Sequence, residues 1–147
     1  MSGSYMVGPG DGHVLDVFGA MLTLKATSIE TDGLFSLVEG VFQPGGFAPL
    51  PHIHVDREES FYVLDGEFDF RVGADVIRGE PGAFLHVPRG TFHGFANAGG
   101  IPARLLFAHT PALEGFFLEL GMLAKSGTPE REQLAALMRR WAMEVPT

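Results

Sequence analysis

Residues 51–67 read Pro51-His52-Ile53-His54-Val55-Asp56-Arg57-Glu58-Glu59-Ser60-Phe61-Tyr62-Val63-Leu64-Asp65-Gly66-Glu67. In an extended chain successive side chains point to opposite faces, so His52 and His54 present both imidazoles on one side. A third donor from the same stretch must return from beyond the bend, and Glu58 and Glu59 are both near enough in sequence. Parity favours Glu59, because Glu59, Phe61 and Val63 share the inward face of the following strand. Glu58 then falls on the rim beside Arg57, its expected salt-bridge partner, and Tyr62 points away from the Glu59 face.

Beyond the Asp65-Gly66 turn the alternation resumes, with Phe68, Phe70 and Val72 on one face and Asp69 and Arg71 on the other. The same texture extends in both directions. Short β-favouring runs occupy 14–18, 21–25, 35–42, 61–64, 67–72, 83–87, 91–96 and 104–108, separated by Gly/Pro/Asp/Asn turns. Twenty glycines and ten prolines make up about a fifth of the 147 residues, and apolar runs separate them, so they punctuate strands rather than form a loose linker. Strands at this spacing predict an all-β sandwich or barrel.

Downstream the pattern changes. Thr110-Pro111 opens a predicted helix with Leu113, Phe116, Phe117 and Leu120 at i, i+3, i+4 and i+7. Thr128-Pro129 opens a second, with a stripe of Leu134, Leu137, Met138 and Trp141 and with Arg139 and Arg140 in its last turns. Both stripes read as packing faces, set outside the β-core or against a partner subunit. The chain therefore divides into an N-terminal arm over 1–13, a β-barrel over 14–110 and a helical segment over 111–147. At 147 residues this is one domain, with no room for a separate cofactor module.

The net charge of -8 and ten scattered basic residues leave no stripe to neutralise phosphates, which argues against nucleic acid as a partner. No apolar run approaches a membrane span and the first residues lack a signal-peptide pattern, so the expectation is a soluble, cytoplasmic protein with no membrane partner. Cysteine is absent, so any metal must rest on histidines and carboxylates. A second segment, Gly82-x5-Pro88-x-Gly90-x2-His93, brings one more imidazole out of a turn into a β-run, with Asn97 expected to fix the turn that follows. His52, His54, Glu59 and His93 then form an N3O set suited to one divalent transition metal, Fe, Ni, Mn, Co, Cu or Zn. Such a set leaves coordination positions for substrate, the mark of a catalytic metal. Around it, Phe61, Phe70, Phe84, Phe95 and Phe107, with His86 and His109, are candidates for an apolar substrate pocket, about half of the phenylalanines being plain core.

The two segments resemble the bipartite motif of the cupin family. G-x5-H-x-H-x(3 or 4)-E-x6-G is met by Gly46, His52, His54, Glu59 and Gly66. G-x5-P-x-G-x2-H-x3-N is met by Gly82, Pro88, Gly90, His93 and Asn97. The run 52–67, the run 87–93 and the Thr110-Pro111 exit are similar to small bacterial single-domain cupins of the quercetin-dioxygenase-like type, over roughly residues 35–120. The resemblance implies a cupin jelly-roll barrel of six to eight strands followed by two α-helices, a metal held by the three histidines and Glu59, and a homodimer. It implies a dioxygenase-like oxidoreductase acting with O2 on a small aromatic or enolisable substrate, with Glu59 as general base. A non-redox isomerase or polyketide-type cyclase, and a non-catalytic small-molecule binder, are the alternatives from the same residues.

Overall fold

The computed structural model describes residues 3–146; Met1 and Ser2 of the expected arm and Thr147 of the expected helical segment lie outside them. In chain order the strands are β1 (His13–Val17), β2 (Ala20–Ala26), β3 (Ser36–Phe42), β4 (His52–His54), β5 (Glu58–Asp65), β6 (Phe68–Val72), β7 (Asp75–Gly79), β8 (Phe84–Val87), β9 (Phe92–Asn97), β10 (Ala103–Thr110) and β11 (Met143–Glu144). The helices are α1 (Ser28–Thr31), α2 (Glu114–Lys125) and α3 (Arg131–Arg140). Two antiparallel sheets result, of orders β1-β2-β3-β10-β5-β8 and β11-β4-β9-β6-β7. They form an open, jelly-roll-like sandwich rather than a closed barrel.

Period-two burial builds the layers. In β2, β3 and β10 every second residue is buried, so Leu22, Leu24, Val38, Leu105 and Phe107 face inward. The phenylalanines interlock between the sheets: Phe61 lies 5.2 Å from Phe70 and 5.5 Å from Phe95, and Phe42 meets Phe95 edge-on at 5.1 Å.

The Asp65-Gly66 turn does more than reverse the chain. β5 pairs with β10 and β8, whereas β6 pairs with β9 and β7, so the turn carries the chain from one sheet to the other. Gly66 has φ +73°, and a Cβ there would sit 2.6 Å from the Cβ of Ala103. Gly66→Val is therefore expected to cost about 2–4 kcal/mol, through backbone strain and this clash together. Urea denaturation reads it; a midpoint within error of the wild type would refute the packing described for this corner.

Several sequence boundaries shift. Among the described residues eleven strands form instead of six to eight. β7 fills the stretch between the turn signals at 72–75 and 79–82, which the sequence does not mark as a strand, because Val76 and Ile77 are exposed on the edge strand of the five-stranded sheet and carry no apolar alternation. α2 starts at Glu114 and not at Pro111, because β10 stays paired to Glu58 through Thr110 and the next amides are already engaged, Ala112 on the Gly33 carbonyl and Leu113 on the buried Ser36 Oγ. α3 starts at Arg131, where Glu130 and Gln133 form a reciprocal cap. The arm is tied down by Lys25, whose Nζ donates to the carbonyls of Gly8 and Asp11. Among the described residues no helix is long and apolar enough to cross a membrane.

Candidate metal centre

The centre arises where a cross-strand pair from each sheet meets at one end of the sandwich. In the five-stranded sheet His52 of β4 lies directly opposite His93 of β9. In the six-stranded sheet Glu59 of β5 lies directly opposite His109 of β10. β4 contributes His54 on the same face as His52. This three-residue strand is held on its other edge by β11, which pairs Met143 with His54 and Glu144 with Ile53. Just beyond it, Val55 N–H donates to the Ala142 carbonyl, and Gly90 N–H donates to the His54 carbonyl.

His52, His54, Glu59 and His93 are all buried, and each offers one ligand atom within 4.8 Å of the others. His52 Nε2 lies 3.2 Å from His54 Nε2, and Glu59 Oε1 lies 3.1 Å from His54 Nε2 and 2.9 Å from His93 Nε2. The outer nitrogens set the tautomers. His52 Nδ1–H donates to the Leu50 carbonyl at 2.6 Å and His93 Nδ1–H donates to the Thr91 carbonyl at 2.9 Å. In the neutral rings both lone pairs are thus on Nε2, aimed at each other's neighbourhood and at a carboxylate oxygen. Acceptors that converge in this way repel unless a positive charge lies among them. A divalent transition metal satisfies all four at once, so the donor set fits the group that the sequence motifs imply.

The titration behaviour agrees. Burial, reinforced by His54 and His93 alongside, lowers His52 to about 3. Burial also lowers His54, against the pull of Glu59. Burial works to raise the Glu59 carboxyl, yet the imidazoles of His109, His54 and His93 overcome it and hold the group well below the ordinary range. At His93 burial is the largest single effect and works to lower the ring, but the hydrogen bond to Glu59, the Glu59 charge and the Thr91 carbonyl together outweigh it, and the ring is raised. Between pH 6.5 and about 3 the unfolded chain binds a proton at His52 that the fold refuses. His54 acts in the same direction and His93 against it, so the metal-free protein loses stability as pH falls through 6.5. Its urea midpoint should be lower at about pH 5 than at about pH 7.5; equal midpoints would contradict the buried, neutral pair.

Next to the centre lies a cavity of about 50 Å³. Its polar wall is His52, His54, Glu59 and His109, and the remainder is apolar, from Phe47 and Leu50, from Phe95 and Phe107 inside the sandwich, and from α2 and α3. The two helices therefore roof the site. Phe116, Phe117 and Leu120 of α2 and Leu134 and Met138 of α3 face the cavity, a role that the helical stripes alone did not reveal.

Of the residues expected around the metal, Phe95, Phe107 and His109 line the cavity. Phe61 and Phe70 are buried in the aromatic core and not on the cavity wall. Phe84 and His86 do not belong to the pocket. Phe84 is 65% exposed, and His86 bonds Ser60 Oγ and approaches Glu58 at 3.4 Å on the outer face, because strand parity at β8 buries Val87 instead. Glu58 does sit on the rim, but its neighbours are His86 and Arg89. Arg57 turns away from it to pair with Asp56 and to donate to the Ala112 carbonyl, tying the bend to the start of the helical segment. Asn97 bridges the Phe42 and Ile101 carbonyls and caps Gly99 N–H, fixing the loop that leaves β9.

Comparison with known proteins adds four findings. The family profile described as the cupin domain matches residues 38–109. Quercetin 2,3-dioxygenase of Bacillus subtilis (strain 168) is 33% identical over 93 residues, covering 62% of this chain and 27% of that protein. The tetracenomycin polyketide synthase protein TcmJ of Streptomyces glaucescens is 33% identical over 66 residues, 45% of this chain and 44% of that one. The chain thus spans less than half the length of these two relatives. Among solved structures, KdgF from Halomonas sp. superposes with a TM-score of 0.68 at 19% identity, covering 77% of this chain and 98% of that one, which shows a shared fold.

Proposed function

The chain belongs to the cupin superfamily, and on that premise we propose that it is a metal-dependent enzyme with dioxygenase-like chemistry on a small aromatic or enolisable substrate. The observation that carries this reading is the convergence of the His52, His54 and His93 nitrogens and Glu59 Oε1 beside an otherwise apolar cavity whose polar wall includes His52, His54 and Glu59. The three histidines would hold the metal through Nε2 and Glu59 through Oε1. When bound, a divalent transition metal supplies Lewis acidity that lowers the pKa of a substrate hydroxyl, and a redox-capable ion also supports reaction with O2.

Glu59 is the base: with Oε2 held by His109 at 3.1 Å, its Oε1 would give up its place as a ligand and accept the hydroxyl proton. Phe95, Phe107 and Phe117 bind the apolar body of the substrate and exclude water. Among the described residues the cavity lining holds no Lys or Arg, which disfavours phosphorylated or polyanionic substrates. At about 50 Å³ the cavity is well below the roughly 300–1,000 Å³ of ordinary ligand pockets, so substrate enters only with α2 and α3 displaced, less for a single-ring catechol or enediol than for a flavonol. The homodimer remains part of this proposal, supported by the exposed cross-strand pair Tyr62 and Phe84 on the outer sheet face. Light scattering reads it.

Oxygen uptake by metal-loaded protein, with catechol-type, enediol and flavonol substrates, tests the activity, and no substrate-dependent uptake with any metal would end the dioxygenase reading. The similarity to the polyketide synthase protein TcmJ favours a second reading, non-redox cyclisation or isomerisation with Glu59 moving the proton. Turnover that persists under strict anaerobiosis selects it.

A further inference from the structure

We propose that His109 is a positioning residue that keeps Glu59 turned with Oε1 toward the three imidazoles, limiting its carboxylate to one donor oxygen. The inference rests on the metal reading of the centre. The antiparallel register places His109 directly opposite Glu59, and both side chains are buried, at 2% and 5% exposure. His109 Nε2 lies 3.1 Å from Glu59 Oε2. A carboxylate only accepts hydrogen bonds, so this nitrogen donates and the lone pair is on Nδ1. Nδ1 is buried and has no partner.

A histidine placed to satisfy its own polar atoms would not be left with one orphaned. The rest of its ring is walled by aromatic groups, His54 at 5.0 Å and Phe117 at 5.7 Å between centroids, with Phe107 edge-on at 6.3 Å. Its bond to Glu59 is thus the one polar contact the ring makes among the described residues. In return, the bond fixes the far oxygen of Glu59. Oε1 is turned to His54 and His93, and among the described residues Oε2 is held by His109 alone. Without that donor the carboxylate is free to rotate and offer both oxygens to the same cation. Phe117 stands on α2, so the helical roof braces His109 and, through it, the orientation of the ligand carboxylate.

The test uses the whole chain loaded with Co2+, whose visible absorption reports coordination number, and compares wild type with His109→Phe and His109→Gln. The Gln amide nitrogen reaches about as far as Nε2 and keeps the donor. His109→Phe should change the cobalt spectrum and weaken cobalt binding about 10–100-fold. His109→Gln should restore the wild-type spectrum and most of the affinity, with azide titration of the cobalt protein following the same order. A His109→Phe protein with the wild-type spectrum, cobalt affinity and azide affinity overturns the inference, and so does a folded His109→Gln protein that behaves like His109→Phe. If His109→Phe does not fold, His109→Leu takes its place with the same outcomes. A wild type that takes up no cobalt overturns the metal reading itself and this inference with it.

Discussion

His93→Ala should abolish most of the thermal stabilisation that metal confers on this protein. His93 is the donor supplied by the distant second motif, and its Nε2 stands 2.9 Å from Glu59 Oε1. Deleting it leaves two imidazoles and a carboxylate and removes the lone pair that the Thr91 carbonyl aims inward. Loss of a supporting group around a metal costs about 10–100-fold in affinity, so loss of a ligand should cost at least about 100-fold. At a metal concentration about 100 times the wild-type Kd, stabilisation is about 2.7 kcal/mol; a 100-fold weaker variant retains about 0.4 kcal/mol. Melting curves with and without Mn2+, Co2+, Ni2+, Cu2+, Zn2+ and, under anaerobic conditions, Fe2+ read the difference. A His93→Ala protein that keeps the full metal-induced rise in Tm would mean that the ion binds elsewhere.

The largest expected effect on folding comes from Phe61→Ala. Phe61 is 1% exposed, packs on Phe70 and Phe95, and meets the His93 ring at 6.3 Å. Its truncation leaves a void in the middle of the aromatic core that rigid strands cannot close, at about 3–5 kcal/mol. For a chain of this size that corresponds to a fall in Tm of roughly 6–20 °C. Because the void borders His93, metal affinity should weaken as well, whereas an equally destabilising truncation away from the centre, such as Leu137→Ala, should leave it unchanged. A Phe61→Ala loss below about 1 kcal/mol would show that the core relaxes around the gap.

Much of the centre is legible from local spacing. His52 and His54 share a face because they are two apart on a strand, and Glu59 rather than Glu58 faces inward because it is in phase with Phe61 and Val63. The same alternation marks strands, and Gly66, with its left-handed φ, marks a turn. His109 was in phase with Leu105 and Phe107, a signal of inward orientation, but its partner could not be read from its own strand. His86 and Phe84 failed as pocket residues because β8 is short and its outward face carries the aromatic and the imidazole, which composition alone makes look like a site.

Which side chains lie on a common face follows from local spacing, since backbone geometry fixes that within a few residues. Which faces meet is set by long-range packing. That Asp65-Gly66 crosses between sheets, that His93 lands opposite His52 and His109 opposite Glu59, that β11 closes the edge of β4, and that α2 and α3 roof the cavity all depend on pairings between segments far apart in the chain. Strand periodicity is silent on partner and register, because the backbone hydrogen bonds that join strands are the same for every residue, and the choice among them is made by the packing of the whole core.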